Sequence, residues 1–344
     1  MNPLASAAKN WFAAVVRGWD RFWFTPAQPH TLALLRILGG GMILYTHLVW
    51  SINLEAFLGP QGWLPRGATA VLNQTAEGNI YAWSYLAWVD SPALVWPLHI
   101  AALIVLAMLV AGFWTRATSI LAFVITLSYC HRLPMAMFGL DQINALLAMY
   151  LMVGRSGDVW SVDRWLATRK HAAPPIAPSI GTNIAIRLIQ LHMCIIYLFG
   201  GIGKMKGVTW WDGTATWYSF SNLEYQSLDM LWTVHYPAVL SLLTHITVFW
   251  ETFYCFLVWN KITRPICLAL AVAVHGGIAL FLGMKTFGLV MIIANMAFLS
   301  PEFVHATVAL LCRPFAKLLA RRDAVPLGPP RAAFLTNPSS TSRR

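Results

Sequence analysis

The residues best suited to chemistry lie in one stretch, Tyr197–Trp217, which reads YLFGGIGKMKGVTWWDGTATW. Lys204 follows Gly200, Gly201 and Gly203 and precedes Lys206, Trp210, Trp211 and Asp212. Small residues at this point admit the close approach of a helix or a ligand. An amine at the mouth of an apolar, aromatic-lined pocket is partly desolvated, which disfavours its charged form. A neutral amine is a usable general base. Tyr197, Phe199, Trp210 and Trp211 are candidates to wall a ring, with Asp141 or Asp212 tuning the amine. The same residues also fit a plainer description, a membrane-surface lysine within a tryptophan belt.

Other ionisable residues fall inside apolar stretches: Arg36, Asp141, Arg187, Glu251, His47, His99, His192 and His275. Charges at such positions are costly and need a partner or an aqueous path. Arg36 and Arg187, one turn inside their segments, are expected to snorkel to the headgroups. Asp141 is placed to pair with Arg132 or a lysine. Glu251 has no cation nearby in sequence, so it needs one from another helix or must stay protonated. Bis-histidine haem ligation within a bundle would require equal depth, which only His192 and His275 offer. Without repeated histidine spacing, satisfied core histidines are the simpler reading. His275 is also a candidate to contact a substrate. No metal site is read, because the five cysteines are odd in number and form no CxxC pair.

The elements that must position these groups follow from composition. Of 344 residues, 58% are apolar and 11% charged. Soluble domains carry about 25% charged residues, so a water-soluble globule, a disordered chain and a secreted disulfide scaffold are excluded. The expected fold is an all-α polytopic membrane bundle. Eight apolar segments stand out: Leu32–Ile52, Ala93–Phe113, Ala117–Arg132, Phe138–Gly154, Ile184–Gly203, Pro237–Trp259, Pro265–Gly283 and Thr286–Ser300. The third, fourth and eighth are short, which suits helices buried inside a bundle. If all eight cross, seventeen basic residues fall on the side of the termini and five on the other. The positive-inside rule then puts both termini in the cytoplasm. The formal charge of +11 therefore reads as an orientation signal, and no nucleic-acid partner is expected.

Four regions are expected. Residues 1–27 form an interfacial amphipathic helix, with Trp11, Phe12, Trp19, Phe22 and Trp23 interleaved with Lys9, Arg17 and Arg21. Residues 28–302 form the transmembrane bundle, 303–320 a second interfacial helix, and 321–344 a disordered basic tail rich in proline and serine. No removable signal peptide is read at the N-terminus.

Three stretches resemble the HTTM domain of vitamin K-dependent γ-carboxylase and its bacterial relatives. Tyr197-Leu-Phe-Gly-Gly-Ile-Gly-Lys204, with Trp210, Trp211 and Gly213 downstream, is similar to the family's Tyr-Phe-x-Ala-Gly-x-x-Lys stretch. Trp160-Ser161-Val162-Asp163 resembles the Trp-Ser-Val-Asp that follows the fourth helix of the carboxylases. His275, then Gly283-Met284 through Phe298-Leu299-Ser300-Pro301-Glu302, resembles the segment that closes their membrane domain. The three occur in the family's order over roughly residues 28–305.

The resemblance implies a chemistry. In the carboxylases a lysine at the Lys204 position deprotonates vitamin K hydroquinone, and the anion reacts with oxygen. The strong base so formed takes a proton from a glutamate γ-carbon, and carbon dioxide adds. A reduced quinone (menaquinol, ubiquinol or a vitamin K-like quinol) is thus the implied cofactor. Two departures matter. Around Gly139–Asn144 this chain reads Gly-Leu-Asp-Gln-Ile-Asn, where the animal carboxylases carry an important histidine, so Asp141 is the candidate for that role. The carboxylases also continue into a domain that binds the substrate protein, and no such region is read here.

Two functions follow. One is a multi-pass membrane enzyme, in the plasma (inner) membrane if bacterial, using Lys204 as base on a quinol-like or similarly lipophilic small molecule. The other is a non-enzymatic scaffold for a partner protein of unknown kind, its pocket vestigial or filled by membrane lipids. A haem electron carrier ranks third.

Overall fold

A computed structural model of the chain describes residues 3–75, 82–170 and 173–323. It divides into two compact units, residues 1–304 and 305–344. In chain order the helices are α1 (Pro3–Phe24), α2 (His30–Trp50), α3 (Leu54–Leu58), α4 (Arg66–Thr75), α5 (Pro92–Ala111), α6 (Thr115–Arg132), α7 (Gly139–Leu151) and α8 (Val162–Arg169). They continue with α9 (Ile180–Met205), α10 (Val208–Trp211), α11 (Ala215–Phe220), α12 (Pro237–Leu257), α13 (Thr263–Phe281), α14 (Lys285–Asn295) and α15 (Pro301–Asp323). Among the described residues the only pairing of extended backbone is one bridge between Ala27 and Ser179. Each of the eight apolar segments is a helix to within a few residues, and short helices interrupt the long polar connections.

Among the described residues, five helical stretches are long and apolar enough to cross a membrane: His30–Leu58, Pro92–Ala111, Ile180–Met205, Pro237–Leu257 and Thr263–Phe281. The other three segments, α6, α7 and α14, are shorter or more polar. Thr118, Ser119, Thr126 and Ser128 of α6 and Asn144 of α7 are buried, which suits inner helices that touch protein on most sides. On α5 and α12 the outward residues are instead apolar and exposed, among them Ile100, Ile104, Leu242, Phe253 and Phe256. Such a surface suits hydrocarbon rather than water.

Apolar packing forms two clusters. One gathers Leu147, Ile189, Met193, Tyr197, Tyr254 and Met291 from α7, α9, α12 and α14. The other gathers Ile43, Leu106, Leu109, Ala122 and Tyr129 from α2, α5 and α6. At its N-terminal end α9 is tied to α1: Asn183 donates to the carbonyls of Phe22 and Trp23 at 2.8 and 2.9 Å. The Arg187 guanidinium lies over the Phe22 ring at 4.5 Å and donates to Gln190, which keeps it half-buried. In α1, Trp11, Phe12 and Trp19 are exposed. The second interfacial helix expected at 303–320 falls within α15. The tail lies outside the described residues from residue 324.

Arg36 does not snorkel. It is fully buried and donates to the carbonyl of Trp160. Trp160 has φ +49°, the left-handed region that costs a non-glycine residue about 1–2 kcal/mol, and this turn aims its carbonyl at the guanidinium. The next residues work in the same knot. Ser161 caps α8 by accepting from Arg164 N–H at 3.0 Å. Asp163 caps α6, accepting from Trp114 N–H, Thr115 N–H and the Thr115 hydroxyl at 2.9, 2.8 and 2.7 Å. Gly112 has φ +70°, and a side chain there would collide with Arg36. The Trp-Ser-Val-Asp motif therefore ties α2, α5, α6 and α8 together by hydrogen bonds. At the other end of α6, Arg132 is buried and donates to the carbonyls of Leu64 and Gly59 and to the Thr69 hydroxyl, each at 2.9 Å. It anchors the α3–α4 connection and does not pair with Asp141.

Replacing Asp163 by alanine removes a cap of three hydrogen bonds and should destabilise the protein by roughly 1–3 kcal/mol, read as a lowered Tm in detergent. Asp158→Ala, which breaks a partly exposed pair with Arg155, should leave Tm nearly unchanged.

Candidate functional site

Lys204 sits in the last turn of α9, where the helix dipole favours a cation. Its Nζ donates to Oε2 of Glu251 on α12 at 2.5 Å. The lysine side chain is 28% exposed and that of Glu251 only 8%, so the pair lies at the edge of the protein interior with the ammonium the more exposed partner. The Trp210 ring lies 5.4 Å from Nζ. The Lys204 ammonium is the cation partner that Glu251 needs, supplied from another helix.

The glycines make the pair possible. A Cβ on Gly200 would stand 3.3 Å from Glu251 Oε2 and 3.8 Å from Lys204 Nζ, so a longer side chain there would fill the space the pair occupies. A Cβ on Gly201 would lie 2.6 Å from the backbone nitrogen of Thr252 and 2.4 Å from its hydroxyl. The close approach of α12 to α9 at Glu251–Thr252 therefore requires glycine. Gly203 faces open space.

Tyr197 lies seven residues before Lys204, two helical turns down the same face. It belongs to a buried hydrogen-bond chain whose direction can be deduced. Asn295 Nδ2 donates to the Met291 carbonyl at 2.8 Å, which orients the amide. Its Oδ1 accepts from the Tyr254 hydroxyl at 2.6 Å, and Nδ2 also donates to the Tyr197 oxygen at 2.7 Å. Tyr197 then donates to His275 Nε2 at 2.8 Å. That leaves the proton of a neutral imidazole on Nδ1. His275 Nδ1 is buried without a partner, and so is the indole Nε1 of Trp250, the residue next to Glu251. The Trp250 ring lies 5.0 Å from that of Tyr197 and 6.3 Å from that of His275. Two unmet N–H donors thus flank Tyr197.

The other candidates are placed elsewhere. Phe199 projects outward and is 68% exposed. Trp211 donates from Nε1 to the Met205 carbonyl at 2.7 Å and packs edge-on to Phe249, closing the turn after α9. Asp212 is exposed and accepts from the Thr214 hydroxyl and N–H at 2.6 and 2.9 Å. Those bonds, the hydroxyl's first, hold its carboxyl below the usual carboxylate range. Asp141 lies in the first turn of α7, where it accepts from Phe138 N–H at 3.1 Å and faces a cavity among α2, α6 and α7. The structure therefore groups Lys204 with Trp210, and with Tyr197 and His275 below, while Glu251 takes the place expected for Asp141 or Asp212. His192 and His275 are each engaged by a tyrosine instead, His192 by Tyr150 at 3.1 Å. Glu251, Trp250, Tyr254 and Asn295 were not foreseen as a group. The available signal was that Glu251 and Asn295 are polar residues inside apolar stretches.

The family model of the HTTM domain matches residues 24–303, which is most of the chain. The chain belongs to the HTTM family. No curated protein and no solved structure matches it. The HTTM region runs from the last residue of α1 to the first turn of α15, so the ion pair, the buried chain and the Trp160–Asp163 knot all lie inside it. Nearly all of α1 lies before it.

If the glycine face sets the distance between α9 and α12, Gly201→Ala should lower Tm markedly. Gly203→Ala, with free space around it, should leave Tm unchanged or raise it, since alanine favours helix over glycine by about 1 kcal/mol.

Proposed function

We propose that this HTTM protein is a membrane enzyme that removes a proton from a lipophilic acid of quinol type, with Lys204 and Glu251 acting as one unit. The observation that carries this reading is the 2.5 Å contact between a partly exposed ammonium and a buried carboxylate. Charges in such a place are strongly sensitive to desolvation. When a lipophilic molecule covers the exposed part of Lys204, water is lost from both charges, and the neutral amine–carboxylic acid form gains on the ion pair. Glu251 Oε2 takes the proton from Lys204 Nζ, and the amine lone pair then takes one from the hydroxyl of the bound molecule. The proton removed is thus stored on Glu251, and the restored ammonium faces the oxygen left behind.

The residues around the pair fit such a ligand. Trp210 supplies a flat apolar wall. The unmet N–H groups of His275 and Trp250 are donors for a second oxygen. A reduced quinone supplies two ring oxygens and reducing equivalents when bound, and the donor set here suits such oxygens. In this reading all eight apolar segments cross, both termini are cytoplasmic, and the pair faces the opposite side. The protein then lies in the plasma membrane if its source is bacterial. The scaffold reading would make the ion pair a clamp between α9 and α12, and the two readings separate experimentally.

Lys204→Met and Glu251→Gln should each lower quinol oxidation in membranes by 100-fold or more, the usual range for losing a general base. The double variant Lys204→Met/Glu251→Leu should keep a near-native Tm, because an apolar pair often replaces a buried ion pair without loss, and should remain inactive. Unchanged turnover in Lys204→Met would refute the enzymatic role.

A further inference from the structure

A small cavity lies where α2, α6 and α7 meet, lined in part by His47, Thr126, Asp141 and Asn144. It has room for about one water-sized molecule. Three polar atoms of these residues are buried with no protein partner: His47 Nε2, Thr126 Oγ1 and Asn144 Oδ1. Their remaining contacts determine what each can do. His47 Nδ1 lies 2.8 Å from the Ile43 carbonyl, so it carries the ring proton and Nε2 is an acceptor. The Thr46 hydroxyl donates to the Met42 carbonyl at 3.0 Å, so its oxygen accepts from Asn144 Nδ2 at 3.1 Å. That contact orients the amide and leaves Oδ1 as an acceptor. The Thr126 hydroxyl both donates and accepts. Asp141 adds a buried carboxylate that none of the three ion pairs among the described residues engages.

We propose that this cavity binds a single hydrogen-bond donor one heavy atom in size, a water or an ammonium ion. A water completes the set: it accepts from Thr126 and gives its two protons to His47 Nε2 and Asn144 Oδ1. An ammonium ion donates to His47, Asn144 and the Thr126 oxygen, and has a fourth N–H for Asp141, whose charge it balances. Either joins three helices through groups that are otherwise unsatisfied in an apolar bundle, a state that is strongly unfavourable. The site is independent of Lys204 and Glu251, which lie on α9 and α12. It assigns Asp141 to this cavity and gives it no part in proton abstraction there.

The test uses full-length protein in nanodiscs, with melting followed as sodium chloride is exchanged for ammonium chloride at constant ionic strength. An ammonium-specific rise in Tm that Asn144→Leu abolishes identifies the cation. No such rise, together with density within hydrogen-bond distance of His47 Nε2 and Asn144 Oδ1 in an experimental structure, identifies water. Thr126→Val and Asn144→Leu should each lower Tm by roughly 2–4 °C, and the double variant by less than their sum, because both lose the same ligand. Absence of both the ammonium response and the density overturns the proposal, as does strict additivity of the two substitutions. If the variants do not fold, the density of the unaltered protein decides alone.

Discussion

The central constraint on this protein is that polar groups placed in an apolar bundle must find partners within the chain. Its most demanding instance is the contact between Lys204 and Glu251. Glu251 lies on α12, fourteen residues after its first residue, Pro237, with apolar side chains on most of the intervening positions. Without a cation it would be an unmatched buried charge. The partner can reach it because Gly200 and Gly201 remove the side chains that would hold α9 and α12 apart. One small-residue face thus decides helix packing and ion pairing together. The Trp210 ring adds a second contact, 5.4 Å from the ammonium.

Two polar clusters answer the same constraint differently. In the Trp160–Asp163 knot every strong contact is structural: Asp163 caps α6, Ser161 caps α8, and the Trp160 carbonyl takes Arg36. Arg36 still keeps two guanidinium nitrogens without protein partners. Among α9, α12, α13 and α14 the contacts form a directed series from Tyr254 through Asn295 and Tyr197 to His275, and it stops at an unmet donor. Both clusters thus leave buried N–H groups without a protein partner.

Much of this was legible in the sequence. The helical segments, the amphipathic α1 and the importance of the glycine–lysine stretch follow from local pattern, because each depends on residues close together in the chain. The need of Glu251 for a distant cation was also readable, as a charge without a local partner. Which cation it would take was not, since the contact joins residues 47 positions apart. Asp141 shows the same limit. Its acidity and its position near a family motif drew it toward the lysine, whereas helix packing turns it toward His47 and Asn144. Arg36 lies one turn inside its helix, where snorkelling is the usual outcome, but a positive-φ carbonyl more than a hundred residues away holds it inside.

The claim on which the functional account rests is that Glu251 receives a proton when a quinol covers Lys204. Infrared difference spectroscopy on the full chain, with and without reduced menaquinone, reads this directly. The account predicts a carbonyl band of a protonated carboxylic acid that appears on binding and is absent in Glu251→Gln. A carboxylate band for Glu251 that is unchanged by the bound quinol would contradict it.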